Sequence, residues 1–154
     1  MLAAWQDPMT IRFYRQYEEY GCFSNFSRHP VLLDGLEWPT VEHYFQAQKF
    51  EGLNYAEEIR AARSPGVAKR MAKTRRMLRR PDWAEVKENV MFEAVLAKFR
   101  QHPDIRQVLL DTGDEELVEH TSNDSYWGDG GDGSGQNRLG VILMQVRQIL
   151  RAEQ

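Results

Sequence analysis

The segment from Asp82 to Arg100 constrains the fold more than any other part of the chain. Asp82 followed by Glu85 has the spacing of a capping box, which predicts a helix start. No glycine or proline interrupts the run before His102-Pro103. Apolar residues recur at helical spacing on two faces: Val86, Val90, Ala94 and Ala97 on one, Phe92, Val95, Leu96 and Phe99 on the other. A helix with two apolar faces must be covered on both, so it is expected near the middle of the fold.

The other elements read as shorter. TIRFYR, residues 10 to 15, and ELVEHT, residues 116 to 121, have the pattern of short strands. VLLDGLEW, residues 31 to 38, reads as a hairpin turning at Asp34-Gly35. Thr40, after Pro39, is the predicted N-cap of a first helix. A second helix is expected from Tyr55 to Ala62. Ser64-Pro65 opens a third, because proline at the first helical position loses no hydrogen bond. A short helix from Asp104 to Leu110 follows the long one, and Leu139, Ile142, Leu143, Val146, Ile149 and Leu150 form one stripe of a C-terminal helix. There is no internal repeat and no βαβ alternation of the kind that builds a parallel sheet. The expected class is α+β, a mainly helical domain with a few short strands. At 154 residues one domain is expected, with its core from about residue 11 to residue 150.

Composition excludes several alternatives. Apolar residues make up 42% and charged residues 28%, ordinary for a globular chain, and no apolar run approaches the roughly 18 residues needed to cross a bilayer. MLAAWQDPMTIRF lacks the charged-then-apolar order of a signal peptide. A single cysteine, Cys22, cannot form an internal disulfide, so a cytoplasmic location is expected. Charge is unevenly spread. Residues 60 to 80 hold nine cations and no acid, which leaves −12 for the remainder of a chain whose net charge is −3. That asymmetry suits a phosphate-bearing partner, or else a basic surface paired with acidic helices.

Three segments carry candidate chemistry. In WPTVEHYFQAQKF, residues 38 to 50, Glu42, Gln46 and Lys49 fall within about 60° of one another on a helix, flanked by Phe45 and Phe50. A carboxylate and an amine beside aromatic walls acquire the perturbed proton affinities that acid–base or nucleophilic work requires. The alternative is a solvent-facing strip. The second segment, HTSNDSYWGDGGDGSGQNRLG, holds six of the 11 glycines between Gly128 and Gly140. It lacks the Gly-Lys-Ser/Thr of a P-loop, the spacing of a dinucleotide fingerprint and the acid pattern of a calcium loop. It reads as a tight loop carrying Asp124, Trp127, Asp129, Asp132 and Asn137, whose N–H groups, ahead of a helix, could hold an anion. The third, GCFSNF, offers Phe23 and Phe26 as core or site wall, with Ser24 and Asn25 as hydrogen-bonding groups. Cys22 with His29, His43 or His120 as base is the weaker nucleophile reading, since a lone cysteine usually behaves as a small hydrophobe. His43, His102 and His120 stand apart without HExxH or CxxC spacing, so no metal and no cofactor is expected.

FSNF, WPTVEHYFQAQKF, the tryptophan of PDWAEVK, AKF and NDSYWGDGGDGSGQNRLG occur in the order found in the NADAR family. From Ile11 to Leu150 the chain most resembles the YbiA-like N-glycosidases of that family. The resemblance implies a small α+β fold and hydrolysis of an N-glycosidic bond between a ribose and a base. YbiA-like members are associated with removing reactive ribosylated pyrimidine phosphates of riboflavin synthesis, a form of metabolite damage control. Other members are associated with ADP-ribose, including its removal from guanine. On that resemblance Glu42, Lys49 and Asp129 are the candidate catalytic residues. Phe23, Asn25, Trp83, Asp124, Trp127, Gly128 and Asn137 are the candidate substrate-binding residues, with Trp83 and Trp127 as stacking platforms. Breaking a C1′–N bond builds positive charge on the sugar, which a carboxylate such as Glu42 stabilises. Asp129 or Asp124 would position water or the ribose hydroxyls. Lys49 would bind phosphate or attack the opened sugar as an amine, and cations of residues 60 to 80 would hold the phosphate. The expected partner is a phosphorylated ribosyl-base, with ADP-ribosylated nucleic acid as a further candidate. Two rival readings are a non-catalytic module binding ADP-ribose or NAD, and a nucleic-acid-binding protein using residues 60 to 80.

Overall fold

A computed structural model describes residues 9–154. The start of the segment read above for a signal peptide lies outside them. Among the described residues there are six α-helices and four strands in two two-stranded sheets, an α+β fold as expected. No helix among them is long and apolar enough to cross a membrane. The fold divides into two compact units: the residues up to Ser24 together with Pro103–Gln154, and Asn25–His102.

In the first unit β1 (Thr10–Phe13) pairs in parallel with β4 (Glu116–Glu119), placing Ile11 beside Leu117. Both strands end before the predicted limits. Helix α6 (Arg138–Ala152) packs on β4, and α5 (Pro103–Asp111) packs on α6. The predicted apolar stripe of α6 is buried at Leu139, Ile142, Leu143, Val146 and Leu150. Arg147 is buried with them, satisfied by Thr112 Oγ1 and the Glu115 carbonyl at 2.9 Å each. Asn137 joins α6 to β4. It adopts the left-handed conformation (φ 50°), its Oδ1 accepts from Glu119 N–H at 2.9 Å, and its Nδ2 donates to the Leu117 carbonyl at 2.9 Å.

The second unit is built around α1 (Val41–Gln48), which touches α2 (Asn54–Arg60), α3 (Pro65–Thr74) and α4 (Trp83–Gln101). The hairpin of β2 (Val31–Leu33) and β3 (Leu36–Trp38) turns at Asp34 and Gly35, φ 53° and 79°, the positive values a two-residue turn requires. Thr40 caps α1 by accepting from His43 N–H at 3.1 Å, and Ser64 caps α3 by accepting from Val67 N–H at 3.1 Å. Two expectations for α4 are corrected. Asp82 forms no side-chain cap; its carboxylate takes a two-point hydrogen bond from Arg80 at 2.6 and 3.0 Å, a charge-assisted alternative stronger than capping. The buried line of α4 runs through Trp83, Met91, Ala94, Val95, Lys98 and Phe99, so Val86 and Val90 are only half covered. The most enclosed helix is α1, where all seven residues from Val41 to Ala47 are buried.

Asn137→Ala removes both hydrogen bonds to β4 and leaves a strand N–H and a carbonyl unpaired. It should cost about 2–3 kcal/mol in urea unfolding. A loss below about 0.5 kcal/mol would show that the amide does not hold α6 to the strand.

Candidate active site

The Glu42 strip is not a solvated face. Glu42 is 6% exposed and Gln46 4%. Burying a carboxylate is costly unless it is hydrogen-bonded. One turn further along the helix Gln46 Nε2 donates to Glu42 Oε2 at 2.7 Å, and the Glu42 N–H donates to the Asn25 carbonyl at 3.1 Å. Asn25 is itself buried, with its Nδ2 directed at Met91 Sδ at 3.3 Å.

Lys49 closes the same helix. Its Nζ lies 5.4 Å from the Phe45 ring centroid and 5.7 Å from that of Trp83, and the two rings stand edge to face 5.0 Å apart. Burial against these rings pulls the Lys49 pKa down to about 8. Glu42 opposes the fall, while Arg79, Lys69 and Lys87 add to it. The end of α1 is tied down by Arg80 N–H, which donates to the Lys49 carbonyl at 2.8 Å. The result is an amine with an appreciable neutral fraction near neutral pH. It sits within the field of one buried carboxylate and three further cations.

The glycine-rich loop, in the other unit, folds on its own carboxylates. Asp124 Oδ1 accepts from the Tyr126 and Trp127 N–H groups at 2.9 and 2.8 Å. Asp129 is buried, and its Oδ1 accepts from Thr121 N–H at 3.0 Å and Gly131 N–H at 2.8 Å. Its Oδ2 faces His120 Nδ1 at 2.7 Å. Burial alone would raise the Asp129 pKa, but the hydrogen bonds from His120, Gly131 and Thr121 outweigh it and hold the carboxyl below its ordinary value. Asp129 is therefore ionised at neutral pH and fixes the proton on His120 Nδ1, with Nε2 on the other side of a half-exposed ring. Such a pair can relay a proton.

Gly128 and Gly135 allow the loop to close. A Cβ on Gly135 would lie 2.5 Å from the Gly128 carbonyl oxygen, and one on Gly128 would lie 2.9 Å from the carbonyl oxygens of Glu119 and Asp124. The N–H groups of residues 134 to 139 all donate to acceptors within the loop. The anion cradle expected from the sequence is therefore not formed; internal closure has taken its donors.

The sequence candidates thus fall into two sets. Asn25, Glu42, Lys49 and Trp83 gather around α1, joined by Gln46 and Phe45. Asp124, Trp127, Gly128, Asp129 and Asn137 share the loop, where Trp127 stands edge-on to Tyr126 at 4.8 Å. Phe23 is fully buried against Phe13 and Tyr20, at ring distances of 5.7 and 5.4 Å. Sequence reading did not pair His120 with Asp129, nor single out Lys87; no local spacing marks either. Among the described residues no group of three or more His, Cys, Asp or Glu side chains could hold a metal.

The arrangement has close counterparts. Residues 12–151 match the NADAR domain, and the chain belongs to that family. Among its relatives is the N-glycosidase YbiA of Escherichia coli, 54% identical over 143 residues, a match spanning 93% of this chain and 89% of the relative. The NMR structure of the E. coli YbiA protein superimposes with a TM-score of 0.88 at 52% identity, covering 96% of this chain and 88% of that one. An N-glycosidase of Nostoc punctiforme is 51% identical over 147 residues, spanning 93% of this chain and 94% of the relative. A riboflavin biosynthesis protein of Vibrio vulnificus is 41% identical over 141 residues, covering 92% of this chain and 38% of the longer relative.

The Lys49 environment has a thermodynamic signature. Its charged form is disfavoured on folding, so between pH about 8 and the ordinary 10.5 the unfolded chain binds more protons than the folded one. The contribution of this group to stability therefore rises with pH across that window. Lys49→Met removes the effect. The variant should be more stable than the parent near neutral pH, and its advantage should shrink as pH rises from about 8 towards 10.5. Denaturant unfolding as a function of pH measures the gap, and a pH-independent gap would contradict the assignment.

Proposed function

We propose that this N-glycosidase acts on a phosphorylated ribosylaminopyrimidine, with Glu42 and Lys49 as its catalytic pair. One observation carries the reading. An amine depressed to about pH 8 adjoins a buried carboxylate and an aromatic wall, with Arg79, Lys69 and Lys87 close enough to act on it. The excess of positive charge suits a phosphate, and the nearly wholly buried rings of Phe45 and Trp83 give the amine an apolar wall. The Vibrio vulnificus relative, named for riboflavin biosynthesis, supports the choice of a ribosylaminopyrimidine phosphate of that route.

The chemistry follows from the pair. A ribosylamine opens to an imine at C1′. Neutral Lys49 adds to that carbon, forming a C–N bond and a positively charged nitrogen. Glu42 carries the two protons of the lysine nitrogen in turn to the nitrogen on the base side. The first gives a neutral aminal, and the second lets that nitrogen leave as the free amine with its bonding electrons while the lysine imine forms. Water adds to the remaining lysine imine, and cleavage gives the sugar aldehyde and regenerated Lys49. One water is consumed overall. Burial of Glu42 keeps the exchange away from bulk solvent, and the Gln46 hydrogen bond fixes the carboxylate so that little reorganisation is needed.

Glu42→Gln retains size and polarity but cannot carry a proton. It should fold normally and lose roughly 10²–10⁴-fold in base release, the range of general acid–base catalysis. Parallel incubations with a phosphoribosylaminopyrimidine and an ADP-ribosylated guanine test the substrate class. Base is expected from the first. Release from the second alone would move the assignment to ADP-ribose, and full activity in Glu42→Gln would remove that carboxylate from the mechanism.

A further inference from the structure

Four buried side-chain polar atoms lack a hydrogen-bond partner among the described residues: Gln16 Oε1, Asn25 Oδ1, Trp38 Nε1 and Gln46 Oε1. Two of the four belong to residues bonded directly to Glu42. Gln46 donates to its carboxylate, and Asn25 accepts its N–H. Both residues are more than nine-tenths buried. An unpaired buried carbonyl oxygen forfeits its hydration unless a donor fills it.

The chemistry of the two oxygens is fixed by what holds the other end of each amide. Gln46 Nε2 faces a carboxylate, so reversing the amide would set two acceptors against each other. Asn25 Nδ2 faces the Met91 sulfur at 3.3 Å, where a carbonyl oxygen would meet a lone pair. Each residue therefore presents its carbonyl oxygen as an unfilled acceptor. Beside a carboxylate, the matching ligand groups are neutral O–H donors.

We infer that Asn25 Oδ1 and Gln46 Oε1 receive the ribose hydroxyls and make the enzyme selective for ribose over deoxyribose. The inference rests on the glycosidase reading above and assigns to it the residues that choose the sugar. The acceptors adjoin the residue that exchanges protons at C1′, and the 2-hydroxyl is carried by the neighbouring carbon. A sugar lacking the hydroxyl leaves a buried oxygen unfilled, and sites built around a substrate hydroxyl reject such analogues strongly.

The test compares a phosphoribosylaminopyrimidine with its 2-deoxy and 3-deoxy counterparts, each rate divided by its uncatalysed rate because 2-deoxyribosyl bonds break more readily in water. The parent enzyme should lose about 100-fold or more in corrected kcat/KM on at least one deoxy sugar. Gln46→Met and Asn25→Leu, both close in volume, should lower that discrimination at least tenfold, whatever their absolute activity. A purely structural role would lower all three rates together and keep the ratio. Discrimination below about threefold in the parent enzyme, or an unchanged ratio in both variants, would overturn the inference and leave the two oxygens to bound water. If neither variant folds, the parent enzyme's ratio alone decides. Base release from no sugar at all would overturn the glycosidase reading and this inference with it.

Discussion

The Asn25–His102 unit is organised around the burial of polar groups on α1. A carboxylate at position 42 can be enclosed only if it is hydrogen-bonded, and Gln46 one turn along donates to its Oε2 while the Asn25 carbonyl ahead of the helix accepts the Glu42 N–H. The caps at Thr40 and Ser64, the Arg80 hydrogen bond to the end of α1 and the packing of α2, α3 and α4 set that short helix in place. Once α1 is enclosed, Lys49 at its end is drawn onto Phe45 and Trp83. Its lowered proton affinity is a consequence of the same packing. Stability and reactivity are opposed here: the desolvation that weakens the folded state at neutral pH is what supplies a neutral amine.

The other unit uses polar groups differently. In the glycine-rich loop, aspartates 124, 129 and 132 and five glycines make a structure whose donors and acceptors answer one another. Asn137 extends that pattern into the helix that follows. One group stays partly exposed: the His120 ring, whose tautomer Asp129 fixes while about half of its side-chain surface remains accessible.

Local features were legible in the sequence where local chemistry decides the structure. The Asp34-Gly35 turn, the Thr40 cap, the Ser64-Pro65 start and the α6 stripe each depend on residues within a few positions. What sequence could not show depends on distant partners. Asp82 looks like a cap until Arg80 takes its carboxylate. Lys98 and Arg147 are charged and yet buried, which no local spacing marks. The parallel pairing of β1 with β4 joins segments more than a hundred residues apart. The glycine loop looked like an anion cradle because spacing does not reveal that its N–H groups already have acceptors. The strip of Glu42, Gln46 and Lys49 was visible by helical spacing, but its burial, the unfilled amide oxygens and the field of Lys69, Arg79 and Lys87 were not.

The central claim is that the Lys49 amine bonds to the sugar carbon from which the base departs. Sodium borohydride added during turnover of a phosphoribosylaminopyrimidine would reduce the imine and fix the sugar to the protein. Peptide mass mapping should then place an adduct on Lys49, heavier by one ribose phosphate less water plus two hydrogens. Base release at the normal rate with no adduct on Lys49, or with the adduct on another lysine, would contradict it.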